Sequence, residues 1–217
     1  MPTVSKENYL KTIWHLQYEG QSPIAARLAE ELAVSPPAVT AALKRMAKEG
    51  YVKVGPQGRI LLTAKGKRIA VTLVRRHRLV EKLLADVIRM PWYRVHEEAE
   101  ILEHAISPEL ERCLVSLFGR EGTCPHGYPL SVEAPREDRK GGVKILESAA
   151  PGDSLKIIRV HEKDQSFMEY LHRLGLRPGA SFRVLERNYG GALVVEIGGR
   201  KTTLSREAVT KIWAAPA

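Results

Sequence analysis

The chain has 217 residues, 44% of them hydrophobic, with 34 Lys and Arg against 25 Asp and Glu and a formal net charge of +9. That length allows one large domain or two to three small ones, and the apolar content supplies ordinary cores and excludes general disorder. No apolar run is long enough to span a membrane, residues 1–14 lack the apolar stretch of a signal peptide, and two cysteines, Cys113 and Cys124, make no disulfide framework. A cytoplasmic protein without membrane attachment is therefore expected.

Charge is unevenly spread: residues 1–75 carry a net +7, residues 76–118 a net −2, and residues 119–217 a net +4. The first third is thus the part suited to a polyanion. There, Lys6 to Gln17 shows apolar residues at helical spacing, with Ser5 as N-cap. After Gly20, Pro23 opens a second helix with Ile24, Leu28 and Leu32 as its buried stripe. Ala33-Val34 makes a short turn, and Ser35 caps a third helix with Pro36 and Pro37 in its first turn. Val39, Leu43 and Met46 form its inner face, and Gly50 ends it. Two short strands follow, Tyr51–Val54 and Arg59–Thr63, around a Gly55–Gly58 turn.

A helix, a tight turn, a second helix and a basic hairpin make a winged helix-turn-helix. The helix capped by Ser35 is then the one that enters the DNA major groove, with Ser35, Pro36, Pro37 and Thr40 at its reading end. Arg27, Lys44, Arg45, Lys48 and Arg59 are expected on phosphates, where they set position more than sequence.

Lys65 to Ile88 reads as one long helix whose apolar stripe, Leu79, Val80, Leu83 and Leu84, is broad and of the kind that pairs with another chain; Val95 to Ala105 reads as a second helix and Pro108 to Phe118 as a third. Cys113, among Leu110, Leu114 and Val115, reads as a packed core thiol. His77 and Glu81 stand i, i+4. In His96-Glu97-Glu98-Ala99-Glu100-Ile101-Leu102-Glu103-His104, residues 96, 100, 103 and 104 share one helical face. So many imidazoles and carboxylates on one face suit a divalent ion, and His77, Glu100, Glu103 and His104 favour Mn, Fe, Co or Zn over Cu(I). The spacing is neither that of a zinc protease nor that of a di-iron bundle. Cys124 and His126, two apart in a Gly-containing segment, can turn inward to one ion.

Residues 119–142 lack a steady period. Beyond them come short strands, a helix over Ser166–Leu174, a two-residue Gly198-Gly199 hairpin loop, a short helix over Ser205–Val209 and a last strand at Lys211–Trp213, a small β-barrel. The expected fold is mainly α with a small β part. It comprises a winged helix over 1–64, a helical metal-binding and dimerisation region over 65–120, a linker over 121–142 with Cys124 and His126, and an SH3-like barrel over 143–217.

With Glu7–Ile13, Val34–Thr40, Arg76–Glu81, His96–His104 and Cys124–Gly127 taken together, the chain closely resembles the diphtheria-toxin-repressor family of metal-dependent transcription regulators. The match is nearest to its manganese-responsive branch with a C-terminal extension. The resemblance implies two metal positions. One uses His77, Glu100, Glu103, His104 and position 8, where this chain has Asn8 in place of the branch's usual Asp; Glu7 is an alternative donor by a small helix rotation. The other uses Glu81, Cys124, His126 and Glu162 from the barrel, with His96 standing behind the ligands. The iron-responsive branch has Cys where this chain has Glu100, and the carboxylate favours a harder ion such as Mn²⁺; an Fe²⁺-responsive regulator is the alternative, and Zn²⁺, Co²⁺ or Cd²⁺ are able to substitute in vitro.

The resemblance also implies a homodimer on a palindromic double-stranded DNA operator. Metal would tie the first helix to the middle helices and set the angle between the two readers, so that metal-uptake genes are repressed when metal is plentiful. No small organic ligand is expected. A metalloenzyme using the same cluster, or a winged-helix regulator answering an organic effector, are the competing classes; turnover assays and elemental analysis separate them.

Overall fold

In the computed structural model, which describes residues 2–132 and 142–217, the chain forms two compact units. One comprises residues 1–77 with 103–106, the other residues 78–102 with 107–217.

The first unit contains α1 (Val4–Tyr18), α2 (Ala25–Glu31), α3 (Pro36–Lys48), the antiparallel pair β1 (Val52–Val54) and β2 (Ile60–Leu62), and most of α4 (Ala64–Lys82). Leu10, Ile13, Leu28, Val39, Met46 and Ile60 are all buried to 3% exposure or less. At about 1.5–3 kcal/mol each, these side chains hold the three helices to the hairpin.

Two expectations shift here. Thr3, not Ser5, caps α1: its hydroxyl accepts from the Lys6 N–H, so the helix starts one residue earlier than Ser5. Pro23 does not open α2, because its carbonyl accepts from the Ile60 N–H at 2.7 Å and pins it to β2. Ile24 becomes the N-cap, 39% exposed, and Leu28 with Ala29 is the buried stripe. The turn into α3 runs through Ala33, at φ +51. Pro36 and Pro37 open α3, Ser35 is its N-cap by position, and Val39, Leu43 and Met46 face inward as the spacing predicts.

In the second unit the helical run after α4 widens at Leu83–Val87 into a π turn, the Ile88 N–H donating to Leu83 O, so the predicted helix to Ile88 is not uniform. Then come α5 (Val95–Leu102) and α6 (Pro108–Phe118). The α5 helix stops at Leu102, leaving Glu103 and His104 in a turn, because the chain must reverse before Ser107, whose hydroxyl caps α6 on the Leu110 N–H. Cys113 is exposed, contrary to the core reading. Only Leu114 of α6 is buried, and Leu110, Cys113 and Leu117, at i, i+3 and i+7, share an exposed face; Val87, Ile88, Ile101 and Leu102 are also exposed in the single chain.

The remainder is β3 (Lys144–Ile145), β4 (Ser154–Val160), α7 (Gln165–Arg173), β5 (Ser181–Arg187), β6 (Leu193–Ile197), β7 (Arg200–Leu204), α8 (Arg206–Val209) and β8 (Ile212–Pro216). The strands form a six-stranded antiparallel sheet in the order β3-β8-β4-β5-β6-β7, the expected small β part. It bends at bulges between Ile157 and Arg159 and between Val184 and Glu186, around a core of Ile157, Met168, Leu171, Val184 and Leu193. Among the described residues, no helix is long and apolar enough to cross a membrane.

Candidate metal centres and nucleic-acid interface

The second unit brings together Glu81, Cys124, His126 and Glu162. One donor atom from each lies within 4.8 Å of the others, and all four residues are buried. Local backbone pairing explains the convergence. Cys124 and Tyr128 close a tight turn, the Cys124 N–H donating to Tyr128 O and the Gly127 N–H to Cys124 O. The Val160 N–H, at the end of β4, donates to His126 O at 3.0 Å, so Glu162, two residues further on, arrives beside the His126 ring. Gly127 makes this approach possible. A Cβ there would lie 2.0 Å from Ile158 O, and its φ of +91 lies in the left-handed region. Arg78, from the α4 end, donates to Pro129 O at 2.6 Å, and the Arg78 and Arg159 guanidinium groups both lie over the Tyr128 ring, at 5.4 and 5.2 Å.

Within the cluster, His126 Nδ1 is 2.9 Å from Glu81 Oε1 and 3.3 Å from Glu162 Oε2, while its Nε2–H donates to Trp92 O at 2.8 Å. Anchoring one imidazole nitrogen on a backbone carbonyl leaves the other aimed at the carboxylates, the arrangement of a ligating histidine. His96, expected behind the ligands, lies against them: its Nδ1 is 3.2 Å from Glu81 Oε1 and 4.0 Å from Glu162 Oε1.

Electrostatics follow from burial. Burial foremost, then the Glu81 carboxylate, pushes the Cys124 thiol up to about 12, against a hydrogen bond to His126 that pulls the other way. For His126, burial disfavours the charged ring most, yet the Glu81 charge and hydrogen bonds to Cys124, Glu162 and Glu81 outweigh it and hold the ring well above its ordinary value. Glu162 is opposed first by burial and then by Glu81, and still sits below its ordinary value through the His126 hydrogen bond and the charges of His96 and His126. Two buried carboxylates, a thiol and an imidazole fit Mn²⁺, Fe²⁺ or Zn²⁺ as a donor set.

In the first unit a second cluster gathers around α1. His77 Nδ1 is 2.6 Å from Glu103 Oε2, and His104 Nε2 is 3.6 Å from Glu103 Oε1. Glu7 reaches His104 Nδ1 at 2.6 Å. Asn8 Oδ1 is buried and accepts no hydrogen bond among the described residues, an orphaned acceptor of the kind a cation would satisfy. Lys11 donates to both Glu103 oxygens, at 2.8 and 2.6 Å. Sequence reasoning did not single out Lys11. The signal was its i, i+3 and i, i+4 spacing from Asn8 and Glu7, which puts all three on one face of α1. Glu100, assigned to the same ion by resemblance, lies on α5 in the other unit, with Oε1 3.6 Å from His96 Nε2.

The predicted DNA-facing residues are all exposed: Ser35, Pro36, Pro37, Thr40, Lys44, Arg45 and Lys48 on α3, Arg27 on α2 and Arg59 in the hairpin. Two are engaged locally. Thr40 Oγ1 donates to Pro36 O at 3.0 Å, and Arg27 Nη1 donates to Gln21 Oε1 at 2.8 Å.

Residues 1–60 match the N-terminal DNA-binding domain of iron-dependent repressors, residues 63–130 their metal-binding and dimerisation domain, and residues 145–216 the FeoA domain. The chain is 36% identical over 212 residues to the iron-dependent repressor IdeR of Mycobacterium tuberculosis, covering 93% of this chain and 92% of that one. It is 30% identical over 211 residues to the diphtheria toxin repressor of Corynebacterium diphtheriae, covering 91% of each. Among solved structures, a manganese-dependent transcriptional repressor in complex with manganese aligns with TM-score 0.84 at 29% identity over 98% of this chain and all of that one. ScaR with bound Zn²⁺ aligns with TM-score 0.81 at 30% identity over the whole of both chains. A winged DNA-binding unit whose first helix lines a cluster of metal-type donors, together with these likenesses over nearly the full length, makes this chain a member of the diphtheria-toxin-repressor family of metal-dependent transcription regulators.

Proposed function

We propose that the protein is a Mn²⁺-dependent repressor that binds a palindromic DNA operator as a homodimer and silences metal-uptake genes. The observation that carries the reading is the placement of Asn8. Its buried Oδ1, without a hydrogen-bond partner among the described residues, sits on α1, a helix of the DNA-reading unit, which also holds His77, Glu103 and His104. Asn8, His77, Glu103 and His104 would hold one ion, with Glu100 added on the family resemblance; Glu81, Cys124, His126 and Glu162 would hold another. When bound, an ion supplies the divalent charge that lets these carboxylates and imidazoles converge. The chain's own part is to make α1 answer for that convergence, which biases the DNA-competent state by the ion's differential affinity for it. The first set contains no sulfur, which favours Mn²⁺; Fe²⁺ is the second reading, supported by the iron-dependent relatives, and Zn²⁺, Co²⁺ or Cd²⁺ would substitute.

Leu110, Cys113 and Leu117, exposed along one face of α6, support a homodimer paired through that helix. The division of labour follows: 1–64 reads DNA, 65–120 pairs and binds metal, 121–142 contributes Cys124 and His126, and 143–217 contributes Glu162. The role is regulatory, not enzymatic, and is placed in the cytoplasm. Fluorescence anisotropy on a palindromic duplex tests it: binding should tighten with Mn²⁺ and relax with chelator, and Glu103→Ala should abolish the response while leaving weak, salt-sensitive DNA binding. Equal binding with Mn²⁺ and chelator refutes it.

A further inference from the structure

We propose that Lys11 is a built-in competitor of the metal, an ammonium that occupies the Glu103 carboxylate until an ion displaces it, and so sets the metal concentration at which this centre fills. The inference rests on reading His77, Glu103 and His104 as a metal centre. Lys11 Nζ lies 2.8 and 2.6 Å from the two Glu103 oxygens and 3.2 Å from His77 Nδ1. The side chains of Lys11, His77 and Glu103 are exposed by only 7%, 2% and 0%. Glu103 is acceptor-only, so with the His77 Nδ1–H also donating at 2.6 Å, both of its oxygens are engaged by the protein's own donors. Surface lysines rarely do this, since burying an ammonium is costly unless it is paired and hydrogen-bonded. Lys11 meets both conditions on a single carboxylate.

A divalent ion approaching Glu103 meets a positive charge already there, in surroundings too dry to screen it. The ammonium has a way out. A lysine stem is flexible, and α1 carries Glu7 one turn before Lys11, so a displaced ammonium has a carboxylate within reach of its own helix. The same step frees Glu7 to leave His104 Nδ1, to which it is bound at 2.6 Å, clearing a second donor. Lys11 and Glu7 thereby form a latch that closes the centre with internal charges when metal is scarce.

Two measurements test this. In a Cys124→Ala background, which removes the other centre, calorimetric titration with Mn²⁺ should show Lys11→Met binding about 10- to 100-fold tighter than the parent, the gain from not breaking a charge-assisted hydrogen bond. Lys11→Arg, which keeps the charge, should not tighten. If the parent takes up no Mn²⁺, the metal-centre reading fails. If the parent binds and Lys11→Met binds equally or more weakly, the competitor role fails. In the wild-type chain, acylation by a lysine-directed ester followed by peptide mass mapping should show Lys11 protected without metal and reactive with Mn²⁺. Protection that persists or deepens on Mn²⁺ addition overturns the inference without any variant.

Discussion

Gly127→Ala is the sharpest test of how the Cys124–His126 turn is held. The added Cβ would sit 2.0 Å from Ile158 O, 2.7 Å from Arg159 Cα and 2.8 Å from Arg159 Cβ. All three neighbours belong to β4 and cannot swing aside as a flexible side-chain tip would. Restoring an ordinary carbon–oxygen separation of about 3.3 Å moves the turn roughly 1.3 Å off the strand. A further cost of about 1–2 kcal/mol comes from placing a Cβ at φ +91. Metal donors tolerate errors of only about 0.2 Å, so the Val160–His126 stitch and the reach of Glu162 should both be lost to the centre. Calorimetry with Mn²⁺ in a Glu103→Ala background, which leaves only this centre, should show affinity falling about 10- to 100-fold or more. Gly122→Ala is the control: its φ is +92 but a Cβ there meets nothing within 4 Å. It should cost about 1–2 kcal/mol of stability and leave the affinity in place. Wild-type affinity in Gly127→Ala would refute the close-approach argument. Equal losses in both variants would trace the effect to backbone strain alone.

Lys44→Ala should weaken operator binding across all sequences and lower the slope of log K against log salt by about 1, read from anisotropy titrations at several salt concentrations; an unchanged slope removes Lys44 from the phosphate contacts. Leu28→Ala, at a side chain with 0% exposure between α2 and its neighbours, should cost about 2–5 kcal/mol in denaturant unfolding of the first unit. Asp164→Ala removes the N-cap of α7, which accepts from the Phe167 N–H at 3.0 Å, and should cost about 1 kcal/mol. The Lys211 ammonium first, then the Phe167 N–H, holds the Asp164 carboxyl below its ordinary value. Its contribution is therefore present above the unfolded carboxyl range and is lost as pH falls through the lower folded value. Thermal melts of wild type and Asp164→Ala should converge at acid pH and separate towards neutrality.

The helices and strands were legible because punctuation and period agreed. Gly50 stops α3, Ser107-Pro108 opens α6, and Gly198-Gly199, with φ of +54 and +78, closes a two-residue hairpin. Boundaries failed where a distant partner decided them. Pro23 is committed to Ile60, 37 positions away, and so cannot open α2. Local spacing could not show either that the N–H of Val160 would seek His126 O, the bond that delivers Glu162. Lys11 was invisible for a different reason. A lysine in an amphipathic helix reads as a solvated charge, and only the Glu103 carboxylate, 92 positions on, makes its burial favourable. Cys113 was misread because an apolar neighbourhood in sequence was taken for an interior, when the apolar face of α6 is turned outward in the single chain.

That misplaced cysteine gives the protein its own gauge of association. Cys113 stands on α6 between Leu110 and Leu117, exposed, while Cys124, the other thiol, is buried. A thiol-reactive dye should therefore label one site per chain quickly. The rate should fall with rising protein concentration as the apolar face is covered, giving a dimerisation curve with no engineered probe. A rate independent of concentration would move the pairing surface elsewhere on the molecule.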